Sequence, residues 1–245
     1  MASPLRNARE LWRHFWFKAT GGRLTRWSKK WRHKQHLLKN DVAERFSDIY
    51  ANNYWNRGRE GVPSSGGGSS VAATAPLRDR LPGLLAELQA QTFMDVGCGD
   101  YTWMRTLDLP CPYIGVDIVG LVIAANQANF GDDKHSFFQR NAIADDLPEA
   151  DVVLCRDMIF HLSLADGQSA LKNILSKPRR YLISTTDTVT DINGEIITGD
   201  FRPRNLLRPP FNLPAPVEVI EDSIVEPGRK IGVWRAEDVR KALGA

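Results

Sequence analysis

The sequence predicts an α/β fold: a doubly wound, mostly parallel seven-stranded sheet with an antiparallel C-terminal hairpin, carrying a basic helical extension at its N-terminus. Three observations predict it. Strand-like and helix-like segments alternate from Thr92 to Thr185. Two further strand segments follow, joined through Pro227-Gly228, and the first 39 residues differ sharply from the rest in charge and tryptophan content.

Residues 1–39 hold 11 Lys and Arg against one acid, Glu10, for a local charge of +10, whereas the remainder carries −7. Four of the seven tryptophans (Trp12, Trp16, Trp27, Trp31) fall there. On a helical wheel Leu5, Ala8, Leu11, Trp12, Phe15 and Trp16 share an arc of roughly 140°, flanked by Arg6, Arg9 and Arg13. Gly21-Gly22 interrupts that helix, and Leu24, Trp27, Trp31 and Leu38 continue at helical spacing. Such an arm suits an anionic membrane surface. Packing on its own domain or a twin subunit is the second reading, and nucleic acid is the third.

Asp41 and Glu44 form a capping-box pattern that starts a helix through Val42, Phe46 and Ile49. GVPSSGGGSS, residues 61–70, reads either as a flexible linker or as a loop whose backbone N–H groups and hydroxyls touch a ligand. Helical signals resume from Val71 to Gln89, with Pro76 and Pro82 as start or break points. Strands are expected at Thr92–Val96, Pro112–Asp117, Ser136–Arg140, Asp151–Cys155, Arg180–Thr185, Val217–Glu221 and Lys230–Arg235. Helices are expected near Tyr101–Leu107, Leu121–Phe130 and Leu164–Leu175. The implied organisation is a 1–39 extension, a 40–90 section of helices with the Gly/Ser loop, and a 91–245 core. No run of about 18 apolar residues suggests a membrane span, and no secretory h-region appears. Cys98, Cys111 and Cys155 are too few and too scattered for a zinc site or a disulfide framework, so no metal is expected. These features together lead to an expected cytoplasmic location, peripheral on the inner membrane face where the arm engages it.

In FMDVGCGDYTWM, Asp95, Gly97 and Gly99 stand where the first strand turns over. Glycines there permit a tight turn and close approach of a ligand. Asp117 ends the next strand, 22 residues after Asp95, where a carboxylate accepts both hydroxyls of a ribose. A nicotinamide dinucleotide fits less well, because its fingerprint wants a third glycine where Thr102 stands. A carboxylate two residues before the first glycine suits a ligand with an ammonium group and a positive sulfur, as in S-adenosylmethionine.

With these residues in place, the chain resembles the Rossmann-like (class I) S-adenosylmethionine-dependent methyltransferases, and among them a group of small bacterial-type enzymes. The resemblance runs from about Ile49 to Trp234 through IYANNYW, SSGGGSS, DVGCGDYTWM, YIGVDI, DDLPEADVVLCRDMIFHLS, YLISTT, PPFNLPAPVEVIE and IGVW. It implies that Asp95, Gly97 and Gly99 contact the methionine part of the cofactor and Asp117 the ribose. Ile118, Asn141, Ala142 and Cys155 complete the cofactor residues, with Asn141 where the family usually has an aspartate facing the adenine amine. Tyr101 replaces the third glycine of the first motif and is expected to narrow the pocket. The resemblance also favours Ser65, Gly67 and Ser69 as part of a cofactor or substrate loop.

Methyl transfer from a sulfonium asks the protein mainly to align the acceptor and, for a hydroxyl, to remove a proton. CRDMIFHLS ends the fourth expected strand. Asp157 and His161, four apart, would share a helix face as a carboxylate orienting an imidazole base, the alternative being a capping Asp157 and a packed His161. Cys155 reads as a small buried residue rather than a nucleophile. Arg156 either pins an acidic acceptor or pairs with Asp157. Between Thr188 and Pro216, Arg202, Arg204, Arg208, Phe201, Phe211 and Asn212 suit a charged sugar, or else form a proline-stiffened strap. Leu154-Cys155-Arg156-Asp157 supplies neither motif of the DNA base methyltransferases. The expected reaction is methylation of a hydroxyl on a glycan, lipid-linked sugar or small molecule. A nucleic-acid or protein methyltransferase, or a catalytically silent cofactor-binding adaptor docked by the arm, is the alternative.

Overall fold

The computed structural model describes residues 34–244. The strands are β1 (Phe93–Val96), β2 (Tyr113–Asp117), β3 (His135–Gln139), β4 (Val152–Cys155), β5 (Tyr181–Asp187), β6 (Glu218–Glu221) and β7 (Arg229–Arg235). The helices are α1 (Val42–Ala51), α2 (Ala75–Glu87), α3 (Gly120–Phe130), α4 (Leu164–Ile174) and α5 (Ala236–Leu243). One seven-stranded sheet runs in the order β3-β2-β1-β4-β5-β7-β6. The first five strands are parallel, and β7 is antiparallel to both β5 and β6. The expected sheet and its closing hairpin are therefore present.

Alternation along the central strands divides the core between the two faces. Met94, Val96, Val153 and Cys155 join α1, α4 and α5 in one apolar cluster, while Phe93, Val152 and Leu154 join α2 in the other. The 40–90 section thus supplies a helix to each face. Asp41 caps α1 by accepting from the Glu44 N–H at 2.9 Å, as the capping pattern predicts. Among the described residues no helix is long and apolar enough to cross a membrane. Apart from Lys34 to Lys39, which include a 3-10 turn at Gln35–Leu38, the predicted basic arm lies outside the described residues.

One expected helix is much shorter. Tyr101–Leu107 yields only a 3-10 turn, Met104–Thr106, because Tyr101 takes a left-handed backbone with φ of 58° that cannot begin an α-helix. Asp157 has φ of 57°, so no helix begins at once after β4 and only the 3-10 turn Ile159–His161 follows. Asp157 and His161 consequently share no helix face.

Candidate functional site

The chain leaves β1 toward β2 on one side and β4 toward β5 on the other, so their C-terminal ends border a crevice at a topological switch point. A cleft of about 910 Å³, partly open to solvent, occupies it. It brings together Asp95, Gly97, Gly99, Asp117, Ile118, Asn141, Ala142, Ser65, Ser69, Arg156, Asp157 and His161 from segments spread over nearly a hundred residues.

The glycine turn forms one wall. Gly97 (φ 80°) and Gly99 (φ 57°) use left-handed backbone, and a Cβ on Gly99 would collide with Ser65 Oγ. The Gly97 and Cys98 N–H groups donate to Val116 O at 2.8 and 3.0 Å, which binds the turn to β2. Asp117 accepts from the Gly99 and Val119 N–H groups at 3.0 Å each. Burial raises its pKa, and those backbone donors oppose the rise. Asp95 is also buried, and burial pushes it up to about 7 against the opposing effects of the Tyr113 hydroxyl at 3.2 Å and Arg156. Asn141 Oδ1 already accepts from the Ile143 N–H at 2.9 Å, which leaves its second lone pair for a ligand.

The Gly/Ser stretch is tied directly to this turn. Asp100 N–H donates to Ser65 Oγ at 2.8 Å, while Asp100 Oδ2 accepts from Ser64 Oγ at 2.8 Å and Ser65 N–H at 3.1 Å. Tyr50 adds a 3.0 Å hydrogen bond to Ser65 Oγ. The segment turns through Gly67–Ser69 and presents Ser65 and Ser69 to the cleft, so it is a built wall rather than a free linker.

Arg156 is committed to structure. Its Nη2 donates to both Asp222 oxygens at 3.1 Å and its Nη1 to Gly68 O at 3.0 Å. Arg229 bridges Asp222 and Asp157 at 2.9 Å each. Burial works to raise Asp157, but Arg156 and Arg229 outweigh it and hold the carboxyl below its usual range. This buried quartet joins the ends of β4, β6 and β7 to the Gly/Ser loop. Arg156 thus pairs with two aspartates of its own chain, Asp222 and Asp157, while still lining the cleft.

Asp157 does not orient His161. His161 Nδ1 instead bonds the Asp200 main-chain carbonyl at 2.9 Å, which requires the proton on Nδ1 and leaves Nε2 as the acceptor. Burial lowers the imidazole pKa, so the neutral ring is favoured at pH 7. Trp55 packs on the ring from one side at 4.9 Å and Phe201 from another at 5.4 Å between centroids.

Four predicted site residues do not line the cleft. Cys155 lies beneath it, with burial pushing its thiol up to about 12, which removes it as a nucleophile. Arg204 is fully buried and donates to the carbonyls of Gly194 and Leu162 (2.8 Å for the latter), so it fastens the strap rather than holding an acceptor. Phe211 is fully buried near Gly167 and Ile159. Arg202 is exposed on the outer surface. The segment after β5 is therefore a self-packed strap. Tyr101 does not narrow the cleft either, because its ring is buried against Tyr113 and Phe137 on the other sheet face. Sequence reading missed Val42, Phe46, Tyr50 and Trp55 as cleft residues. The signal was present as a stripe at i, i+4 and i+8 along α1, adjacent to Trp55 in the IYANNYW segment. Among the described residues no cluster of His, Cys, Asp and Glu could hold a metal ion.

No protein-family model and no curated protein matches this chain. Solved structures do. An N-methyltransferase, NodS, from Bradyrhizobium japonicum WM9 superposes with a TM-score of 0.50 at 14% identity over 67% of this chain and 93% of its own. This chain shares the Rossmann-like fold of that protein. Human N-acetylserotonin methyltransferase, solved with SAM, gives 0.49 at 12% identity, covering 80% of this chain and 56% of the human one. An O-methyltransferase family protein from Burkholderia thailandensis gives 0.48 at 15% identity, covering 79% of this chain and 59% of its own. This chain thus spans little more than half the length of those two proteins.

Proposed function

We propose that the protein binds S-adenosylmethionine in this cleft and transfers its methyl group to a hydroxyl acceptor, with His161 as the general base. The observation that carries the reading is the pair of buried carboxylates at the glycine turn. Asp95, raised by burial, is electrostatically short of a cation, and an ammonium or sulfonium set against it supplies one. Asp117 stands at the end of β2 with oxygens able to accept from a ribose while its backbone donors hold it still. Gly97 and Gly99 let the turn pack closely against Met158 and Ser65 along the wall where the methionine part would lie. The residues present therefore fit the cofactor. When bound, it supplies a methyl on a positive sulfur that departs as a neutral thioether.

The chain's own contribution is positioning and proton removal. His161 Nε2 would accept the proton of the acceptor hydroxyl as its oxygen takes the methyl, with Asp200 O holding the ring in the required tautomer. Trp55 and Met158 supply apolar walls that exclude water from the acceptor end. The test is calorimetric titration with S-adenosylmethionine. Asp117→Ala should weaken binding by more than tenfold, roughly 1.5–3 kcal/mol. Unchanged affinity in a folded variant would remove Asp117 from the site, and no binding by the wild type would overturn the reading.

A further inference from the structure

The first described residues enter beside the candidate base. Lys34 pairs with the Asp200 carboxylate, and buried His36 bonds Gly199 O through Nε2 at 2.9 Å. Asp200 is also the residue whose carbonyl fixes His161, and the Gly199 N–H donates to His161 O at 2.8 Å. The root of the basic arm therefore lies on the same turn that orients the histidine at the acceptor end of the cleft.

Three apolar side chains on and beside that turn are exposed to solvent. Ile197, whose carbonyl accepts from the Asp200 N–H, is 55% exposed; Phe201, packed on His161, is 47% exposed; Leu38, following Leu37 on Gly199, is 68% exposed. Lys39 and Arg202 are exposed around them, Lys34 is paired with Asp200, and Arg45 reaches the turn through Thr198 O at 3.1 Å. Asp41, Glu44 and Glu195 are exposed acids that offset these bases, so the positive field comes from the 33 residues that precede Lys34, which hold nine Lys and Arg against one acid. A protruding apolar rim inside a cationic field is the combination that enters the headgroup region of an anionic bilayer, the rings and aliphatic chains inserting while the bases meet phosphate.

We propose that the Gly199–Asp200 turn with Leu38, Ile197 and Phe201 is a docking surface for an anionic lipid bilayer, which the arm engages alongside it, so that the acceptor end of the cleft opens at the lipid surface. The docking stands independently of methyl transfer. Its consequence for the acceptor, a hydroxyl compound resident at the bilayer surface, rests on the proposed function.

The test uses the full chain with Ile197→Cys labelled by a polarity-sensitive dye. Cys98, Cys111 and Cys155 are buried and compete little for the label. Asp133→Cys, exposed at the N-terminal end of β3 and so at the opposite end of the parallel strands, is the control. With vesicles containing phosphatidylserine the Ile197 dye should shift to the blue and the Asp133 dye should not, and pure phosphatidylcholine should move neither. Leu38→Cys supplies an independent second site. Lys29→Glu with Lys30→Glu should weaken vesicle co-flotation by at least tenfold at low salt, since each basic side chain near such a surface is worth about fivefold. Co-flotation with no shift at Ile197 or Leu38 would overturn the docking surface and leave only a tether. A dye already blue-shifted without vesicles would assign the patch to the chain's own arm. Tight binding to RNA with no flotation would hand the arm to nucleic acid and overturn the proposal.

Discussion

Asp95 and His161 both line one cleft, and burial moves both toward their neutral forms with opposite consequences for pH. Asp95 rises from 3.8 to about 7, so the stability it contributes to the free protein is fully present below pH 3.8 and is lost as pH rises through about 7. A cationic ligand prefers the ionised carboxylate. Affinity for S-adenosylmethionine should therefore climb between about pH 6 and 7.5, by up to about tenfold per unit, and level off above. Asp95→Asn should be weaker and flat, and a flat wild-type profile by calorimetry would contradict the assignment. His161, lowered from 6.5, should be neutral and competent at pH 7, with turnover falling only as pH drops through that lowered value. His161→Ala should keep cofactor affinity and lose roughly 10² in turnover. A variant of near wild-type rate would return the ring to a packing role.

At the scale of elements, the Gly/Ser loop and three strand ends depend on one buried carboxylate. Asp222 faces Arg156 and Arg229 with no exposure of its own, and removing it leaves two guanidinium groups buried with only Asp157 between them. Asp222→Ala should cost about 3–5 kcal/mol in urea unfolding, far more than an exposed pair would. A cost below about 1 kcal/mol would show that the quartet contributes little net stability. The glycine turn follows similar logic. Ser65 and Asp100 satisfy each other reciprocally, so the loop that looks like a linker by composition is fixed to the element carrying the cofactor residues.

For the molecule as a whole, the cleft draws on residues from Val42 to Leu162, and α1 and α2 complete the cores on the two faces of the sheet. Residues 40–90 should therefore unfold with the sheet in a single transition. S-adenosylmethionine at about a hundred times its Kd should raise stability by about 2.7 kcal/mol and Tm by about 5–10 °C. Differential scanning calorimetry decides, and a separate early transition assigned to residues 40–90 would contradict this unity.

The sequence by itself determined the sheet, its closing hairpin and the glycine-turn wall of the cleft. Those features are local: period-two strands, a glycine turn beginning at the end of β1 and a carboxylate closing the next strand can be read within about 25 residues of one another. Tertiary structure alone decided the surroundings of His161 and the path of the segment after β5. Arg204 and Phe211 looked available because an irregular, arginine-rich segment can either bind or pack, and only its folded path shows the carbonyls and ring contacts that use them. The partner of His161 was equally out of reach, since Asp200 lies 39 residues away and acts through its main chain, which leaves no mark in side-chain spacing. Left-handed backbone at Tyr101 then broke a helix that the sequence suggested, and at Asp157 it removed the helix face that Asp157 and His161 would have shared, because tertiary packing selects a φ that spacing does not reveal.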